Sequence, residues 1–286
     1  MRMGIRGTRE YFGADPNYVP HLVTDVMRCG TCDFIYASPM HERMLQLEQA
    51  YYDDPERYSA TVGCDSSKMY QTRLDFISIY KTGGALLDVG AGKGEFLSLA
   101  AREGWEVQGI EPSPSFRRYA KERYGIECHA GCLGDSGSLP VNYFDVITLN
   151  HVLEHVDRPS GFLDVIRQYL KADGILFIEV PNCDSYFLRI LDLYFRMKGL
   201  KWSSRLSPFH PPFHRFGFTT RSLTFLLERS RYRVVRAATF SGRDRGFQQK
   251  KSRWHPEVIL REMATASLQF LGNRELLAVI AKPVRS

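Results

Sequence analysis

Between residues 85 and 97 an apolar run carries Asp88, turns on Gly90, Gly92 and Gly94, and opens into Glu95-Phe96-Leu97. Glycines at alternate positions remove Cβ atoms where a backbone turns sharply and a ligand lies against it. A buried strand that feeds a helix through such a turn is the geometry of a nucleoside cofactor site, at the carboxyl end of a parallel strand. The spacing is G-x-G-x-G, which differs from the G-x-G-x-x-G of a dinucleotide fingerprint.

The segments that follow extend the pattern. Residues 106–110 read as a second short strand with Glu111 at its tip, 23 residues beyond Asp88. A carboxylate there is placed to accept hydrogen bonds from both ribose hydroxyls of an adenosine. Residues 143–149 form a third buried run, which passes directly into Asn150-His-Val-Leu-Glu-His155.

Together these segments resemble the class I S-adenosylmethionine-dependent methyltransferases, in the branch typified by ubiquinone-biosynthesis and bacterial sugar or natural-product enzymes. The strongest block is Phe144-Asp-Val-Ile-Thr-Leu-Asn-His-Val-Leu-Glu-His-Val-Asp-Arg-Pro159. The resemblance implies a Rossmann-like α/β fold: a seven-stranded, mostly parallel sheet with helices on both faces, closed by an antiparallel strand. It implies S-adenosylmethionine as cofactor. Asp88 is then expected to bond the turn or, through water, the methionine part. Gly90, Ala91 and Gly92 let that part and the ribose approach the backbone. Gly94 opens a helix whose free N–H groups face the amino-acid carboxylate. Glu111 holds the ribose, and Asn150 stands at the same edge. At the adenine, relatives often carry an acid where this chain has Cys132 and Leu133; the Leu133 N–H or Asp135 is expected to serve instead.

Methyl transfer is an in-line displacement, so the protein supplies position and, for a hydroxyl acceptor, proton removal. His151, just after strand four, and His214, in a Phe209-His-Pro-Pro-Phe-His-Arg-Phe216 loop, are the candidate bases. Glu154 and His155 are expected to order the loop. His210-x-x-x-His214 is interrupted by prolines and does not share a helical face, so no metal site is expected. Neither an Asn-Pro-Pro-Tyr tetrapeptide nor a Pro-Cys nucleophile follows strand four, which lowers the reading of base methylation in nucleic acids.

Alternating apolar periods place helices at 68–81, 94–103, 113–124, 162–170, 184–200 and 221–229, with another near 256–270. Strands are expected at 85–89, 106–110, 126–129, 144–149, 175–180, 232–239 and 275–282, with a turn at Asp173-Gly174. Residues 66–286 form the catalytic domain, with 182–218 as a substrate lid. Residues 1–65 form an accessory segment resembling a degenerate zinc ribbon, followed by a helix over 42–52 and a loop to 63. It keeps Cys29-x-x-Cys32 but lacks the second pair of a four-ligand site; His21 or Cys64 would have to be recruited.

Six cysteines in 286 residues are too few and too scattered for a disulfide framework. No apolar run approaches the roughly 20 residues that span a bilayer, and the first residues lack a secretory pattern; a cytoplasmic protein is expected. Residues 196–254 carry 15 Lys and Arg against two acids, Glu228 and Asp244, while the whole chain carries only +6. Such a field steers anions, which suits an anionic acceptor; the resemblance implies a small-molecule acceptor methylated on a hydroxyl of a sugar, lipid precursor or secondary metabolite, with carbon and nitrogen acceptors as further readings. The alternatives are an RNA methyltransferase that uses the basic half as a phosphate track, and a non-catalytic partner that keeps the fold.

Overall fold

The computed structural model describes residues 3–6, 23–40, 46, 67–134, 139–199, 203–206, 213–240 and 274–285. Helices α1 (Ser67–Ser78), α2 (Glu95–Arg102), α3 (Pro114–Tyr124), α4 (Pro159–Tyr169), α5 (Tyr186–Met197) and α6 (Thr220–Arg229) alternate with strands. The strands are β1 (Met3–Arg6), β2 (Val23–Arg28), β3 (Ile35–Ser38), β4 (Ala85–Val89), β5 (Glu106–Glu111), β6 (Cys128–Ala130), β7 (Phe144–Asn150), β8 (Leu170–Pro181), β9 (Phe216–Gly217), β10 (Tyr232–Phe240) and β11 (Leu276–Pro283).

Seven of them form one sheet in the order β10-β11-β8-β7-β4-β5-β6. The β4, β5, β6, β7 and β8 pairings are parallel, and β11 runs antiparallel to both neighbours. The expected fold is therefore present, with the closing strand inserted between β8 and β10. The central strands are buried along their length because helices cover both faces: all five residues of β4 are buried, as are Ile175 to Val180. Sheet order brings the carboxyl ends of β4, β5 and β7 side by side, and that edge carries the glycine turn, Glu111 and the loop after Asn150.

The expected turn at Asp173-Gly174 is instead an irregularity within β8. Pairing with β7 jumps from Phe144↔Leu170 to Val146↔Ile175. A Cβ on Gly174 would lie 3.0 Å from both the Lys171 and the Phe144 carbonyl oxygens, so backbone crowding demands glycine there.

A second, four-stranded antiparallel sheet runs β1-β2-β3-β9. Cys29 and Cys32 lie in the β2–β3 turn as free thiols. Strand β9 belongs to the segment between β8 and α6, so the N-terminal hairpin is stitched to that segment: Ile35 pairs Gly217 and Tyr36 pairs Phe216. Val26, Ile35 and Ala37 share a small core with Cys183 and Leu206. Apart from residue 46, the expected helices at 42–52 and 256–270, the loop to 63, His21, Cys64, Asp135 and His210 lie outside the described residues. No helix among the described residues is long and apolar enough to cross a membrane.

Candidate active site

The first half of the site is a backbone cradle. After β4, Gly90 takes φ +76°, where a Cβ would sit 2.6 Å from Val152 Cγ2. The Gly90 and Ala91 amides both donate to the Ile110 carbonyl, at 2.8 and 3.0 Å, locking the turn onto β5. Glu111, 7% exposed, then reaches back. Its Oε2 accepts from the Gly92 amide and its Oε1 from the Ser113 amide, each at 2.8 Å. Every carboxylate oxygen has a second lone pair, so this grip leaves acceptor capacity for a ligand diol. Gly92 has φ +53° and nothing within 4 Å of its missing Cβ, in contrast to Gly90. The turn is thus packed on one side and open on the other. Gly94 is the N-cap of α2 and offers no side-chain cap.

Beside the cradle, buried Asp88 accepts from Thr148 Oγ1 at 2.6 Å and Asn150 Nδ2 at 3.0 Å. Burial pushes its carboxyl up to about 7, against the opposing pull of these two hydrogen bonds. Burial also raises Glu111, opposed by the Ser113 and Gly92 amides. Asn150 Oδ1 is buried without a hydrogen-bond partner among the described residues. An orphaned acceptor next to a buried acid fits a ligand ammonium group. Leu133 turns its side chain into the main core, beside exposed Cys132.

The second half is a chain of buried charges that joins four separate parts of the sequence. His151 adopts φ +57°, and its amide donates to the Glu179 carbonyl at 2.9 Å. Its ring lies between two buried carboxylates: Nδ1 is 3.2 Å from Glu154 Oε1, and Nε2 is 3.2 Å from Glu179 Oε1. Glu179 in turn binds the guanidinium of Arg73 from α1 through a buried pair. Burial would raise Glu179, but Arg73 and His151 outweigh it and hold the carboxyl far below its usual range. Glu154 is fully buried and likewise ends lowered, because the His151 hydrogen bond and the nearby His155 and His214 overcome desolvation. With a carboxylate at each nitrogen, the His151 ring is held from both sides.

The Glu154 carbonyl accepts from the Arg215 and Phe216 amides, both at 3.2 Å. That contact seats His214 over the same acid, with Nε2 3.8 Å from Glu154 Oε1. His155 and His214 rings meet edge to face at 5.3 Å. His151 and His214, more than sixty residues apart in the sequence, therefore share one carboxylate. Sequence reasoning missed Arg73 and Glu179. An acid inside the apolar run 175–180 is a signal, since an unpaired charge there is costly; nothing marks Arg73 on an amphipathic helix.

The Methyltransferase domain family matches residues 65–237, more than half of the chain. The chain belongs to the S-adenosylmethionine-dependent methyltransferases. This methyltransferase is 32% identical over 142 residues to the ubiquinone biosynthesis O-methyltransferase of Actinobacillus pleuropneumoniae, a stretch covering 45% of this chain and 61% of that protein. To the mitochondrial enzyme of the same description from Schizosaccharomyces pombe it is 31% identical over 126 residues, covering 39% and 45%. The match thus spans about half the length of these relatives. In fold it resembles 1,6-didemethyltoxoflavin-N1-methyltransferase of Burkholderia thailandensis, with a TM-score of 0.54, 15% identity and coverage of 94% and 98%.

Proposed function

We propose that the methyltransferase moves a methyl group from S-adenosylmethionine to a hydroxyl of a small molecule held beneath residues 182–218. The observation that carries the cofactor half is Glu111, fixed by the Gly92 and Ser113 amides with lone pairs to spare for a ribose. Asp88, Gly90, Ala91, Gly92, Gly94 and Asn150 complete the proposed cradle, with the Leu133 backbone at the adenine. S-adenosylmethionine supplies an activated methyl group on a sulfonium; the chain's own residues position both partners and manage the acceptor proton. We assign that task to the cluster around Glu154, in which His151 positions the carboxylate and His214 comes from the covering segment.

The two sequence relatives are O-methyltransferases, which favours oxygen over nitrogen or carbon. An anionic acceptor is favoured by the 15 Lys and Arg of residues 196–254; a cavity of about 350 Å³ lined by Arg28 of β2 and by charged residues of 184–205 includes none of the cradle or Glu154-cluster residues. Asp192 is buried and holds Arg205 Nε at 2.7 Å, which pins α5 to residues 203–206.

The test is S-adenosylhomocysteine release from S-adenosylmethionine, measured with panels of phenols, sugars, amines and RNA at low and high salt. Turnover confined to hydroxyl acceptors supports the reading. Turnover with RNA that falls steeply with salt, or with amines alone, overturns it.

A further inference from the structure

Six of the seven described residues that line the cavity of about 350 Å³ are charged. Arg28 comes from the end of β2, Arg189 and Arg196 from α5, and Arg205 from the segment that follows. Two aspartates of the lining fix the guanidiniums. Asp184 is gripped by Arg189 through Nε at 3.1 Å and a terminal nitrogen at 2.5 Å. Buried Asp192 accepts from Arg205 Nε at 2.7 Å, while its other oxygen accepts from the Ser204 amide and hydroxyl, each at 2.9 Å. Arg28 is braced at 3.2 Å by Asp33, which is not among the described lining residues and is shared with Arg221 at 3.5 Å. Four guanidiniums against two carboxylates leave a surplus of two positive charges around one hollow. Like charges so gathered repel, and an anion between them relieves the repulsion.

From this arrangement we infer that the cavity binds a phosphate ester of a small polar molecule, at a site separate from methyl transfer. Guanidinium forks match phosphate oxygens and bind them through paired hydrogen bonds. A carboxylate offers two oxygens in one plane, whereas a phosphoryl group offers three, spread toward donors that arrive from three chain segments. Its charge of about −1.5 to −2 at neutral pH matches the surplus. The volume falls in the range of about 300–1,000 Å³ typical of small-molecule sites, which leaves room for a body beyond the phosphate. Leu193 is the one apolar residue of the described lining, so the fit is to a sugar rather than to a hydrocarbon or an aromatic base. Such a ligand joins β2 to α5 and to residues 203–206. Strand β2 pairs β3, and β3 pairs β9, which follows Arg215 in the covering segment. Occupancy therefore braces the N-terminal hairpin against that segment. The binding does not depend on the proposed reaction.

Glucose 6-phosphate is the probe, titrated calorimetrically into the full chain at fixed ionic strength, with glucose as the neutral control. Expected is one equivalent of glucose 6-phosphate bound and no heat from glucose. Arg28→Gln and Arg196→Gln, both at exposed positions, should each weaken binding by roughly 10- to 100-fold, the loss of one charged hydrogen bond. Arg233→Gln removes the same charge from an exposed position on β10, outside the described lining, and should bind as the wild type does. Thermal melts check folding, and S-adenosylhomocysteine should bind all three variants with unchanged affinity. A protein that binds S-adenosylhomocysteine but not glucose 6-phosphate overturns the phosphate site while leaving the methyltransferase reading intact. Equal weakening in Arg233→Gln overturns it as well, since the general field of the basic half then accounts for the binding. Competition between glucose 6-phosphate and S-adenosylhomocysteine also overturns it, by assigning the phosphate to the cradle.

Discussion

The two halves of the site are built by opposite strategies. The cradle at the ends of β4 and β5 is local: Gly90, Gly92, Glu111 and Ser113 lie within 24 residues, and backbone amides make most of its contacts. The proposed acceptor half is assembled at long range. Arg73, His151, Glu154, Glu179 and His214 come from α1, the loop after β7, β8 and the covering segment, and they meet through buried charges. A backbone cradle needs only the right turn, so it can be written in a short motif. A buried charge chain needs the whole sheet in register before any pair forms.

That difference can be broken by mutation, starting with its largest consequence. Arg73→Leu leaves Glu179 buried without its guanidinium. The expected cost is about 3–5 kcal/mol, a fall in Tm on the order of 10 °C. The double variant Arg73→Leu with Glu179→Leu should recover much of this, since a buried pair replaced by apolar groups is often near neutral. Melting curves of the three proteins decide it. A single variant as stable as the wild type would show that the pair contributes nothing to the fold.

Next come the glycines of the cradle. Gly90→Ala meets both a left-handed backbone and Val152 Cγ2 at 2.6 Å, and should cost about 2–4 kcal/mol of stability. Gly92→Ala faces open space on the protein side, so only the backbone cost of roughly 1–2 kcal/mol applies. Its damage should appear as weaker S-adenosylhomocysteine binding. Urea unfolding and calorimetry on both variants separate these effects. Equal stability loss would erase the distinction between a packed and an open face of the turn.

A pH-dependent effect concerns Asp88, whose folded carboxyl is raised from its ordinary 3.8 to about 7. The folded protein then holds this proton more tightly than the unfolded chain. The stability associated with it is complete below about pH 4 and is lost as pH rises through about 7. Relative to Asp88→Asn, the ligand-free wild type should lose stability across that window and level off above it. Urea midpoints of both proteins from pH 4 to 8 measure the difference. A difference that is flat, or that grows with pH, would mean that the Thr148 and Asn150 hydrogen bonds keep Asp88 ionised.

Much of the cofactor half was legible in the sequence for the reason given above. Asp88-x-Gly90-x-Gly92-x-Gly94 and Glu111 fall within one strand–turn–helix–strand stretch, and period and turn chemistry read such a stretch well. Strand β8 shows where local reading fails: Asp173-Gly174 looks like a turn, yet at Gly174 two carbonyl oxygens crowd the place a Cβ would take. The sequence marks residues 1–65 as an accessory segment; β9 ties β3 of that segment to the residues before α6, a pairing of four residues that no local pattern announces. His151 and His214 were identified as residue types but not as a pair. Their shared partner Glu154 becomes visible only once its carbonyl receives the Arg215 and Phe216 amides.

The most direct test of the division between the halves is calorimetric titration of S-adenosylhomocysteine into wild type, Glu111→Ala and His214→Ala, with NAD as a control ligand. Losing a charged hydrogen bond costs roughly 1.5–3 kcal/mol, so Glu111→Ala should weaken binding by about 10- to 100-fold. His214→Ala should bind as the wild type does, and NAD should give no heat. Unchanged affinity in a folded Glu111→Ala protein, or NAD binding in place of S-adenosylhomocysteine, would contradict the account.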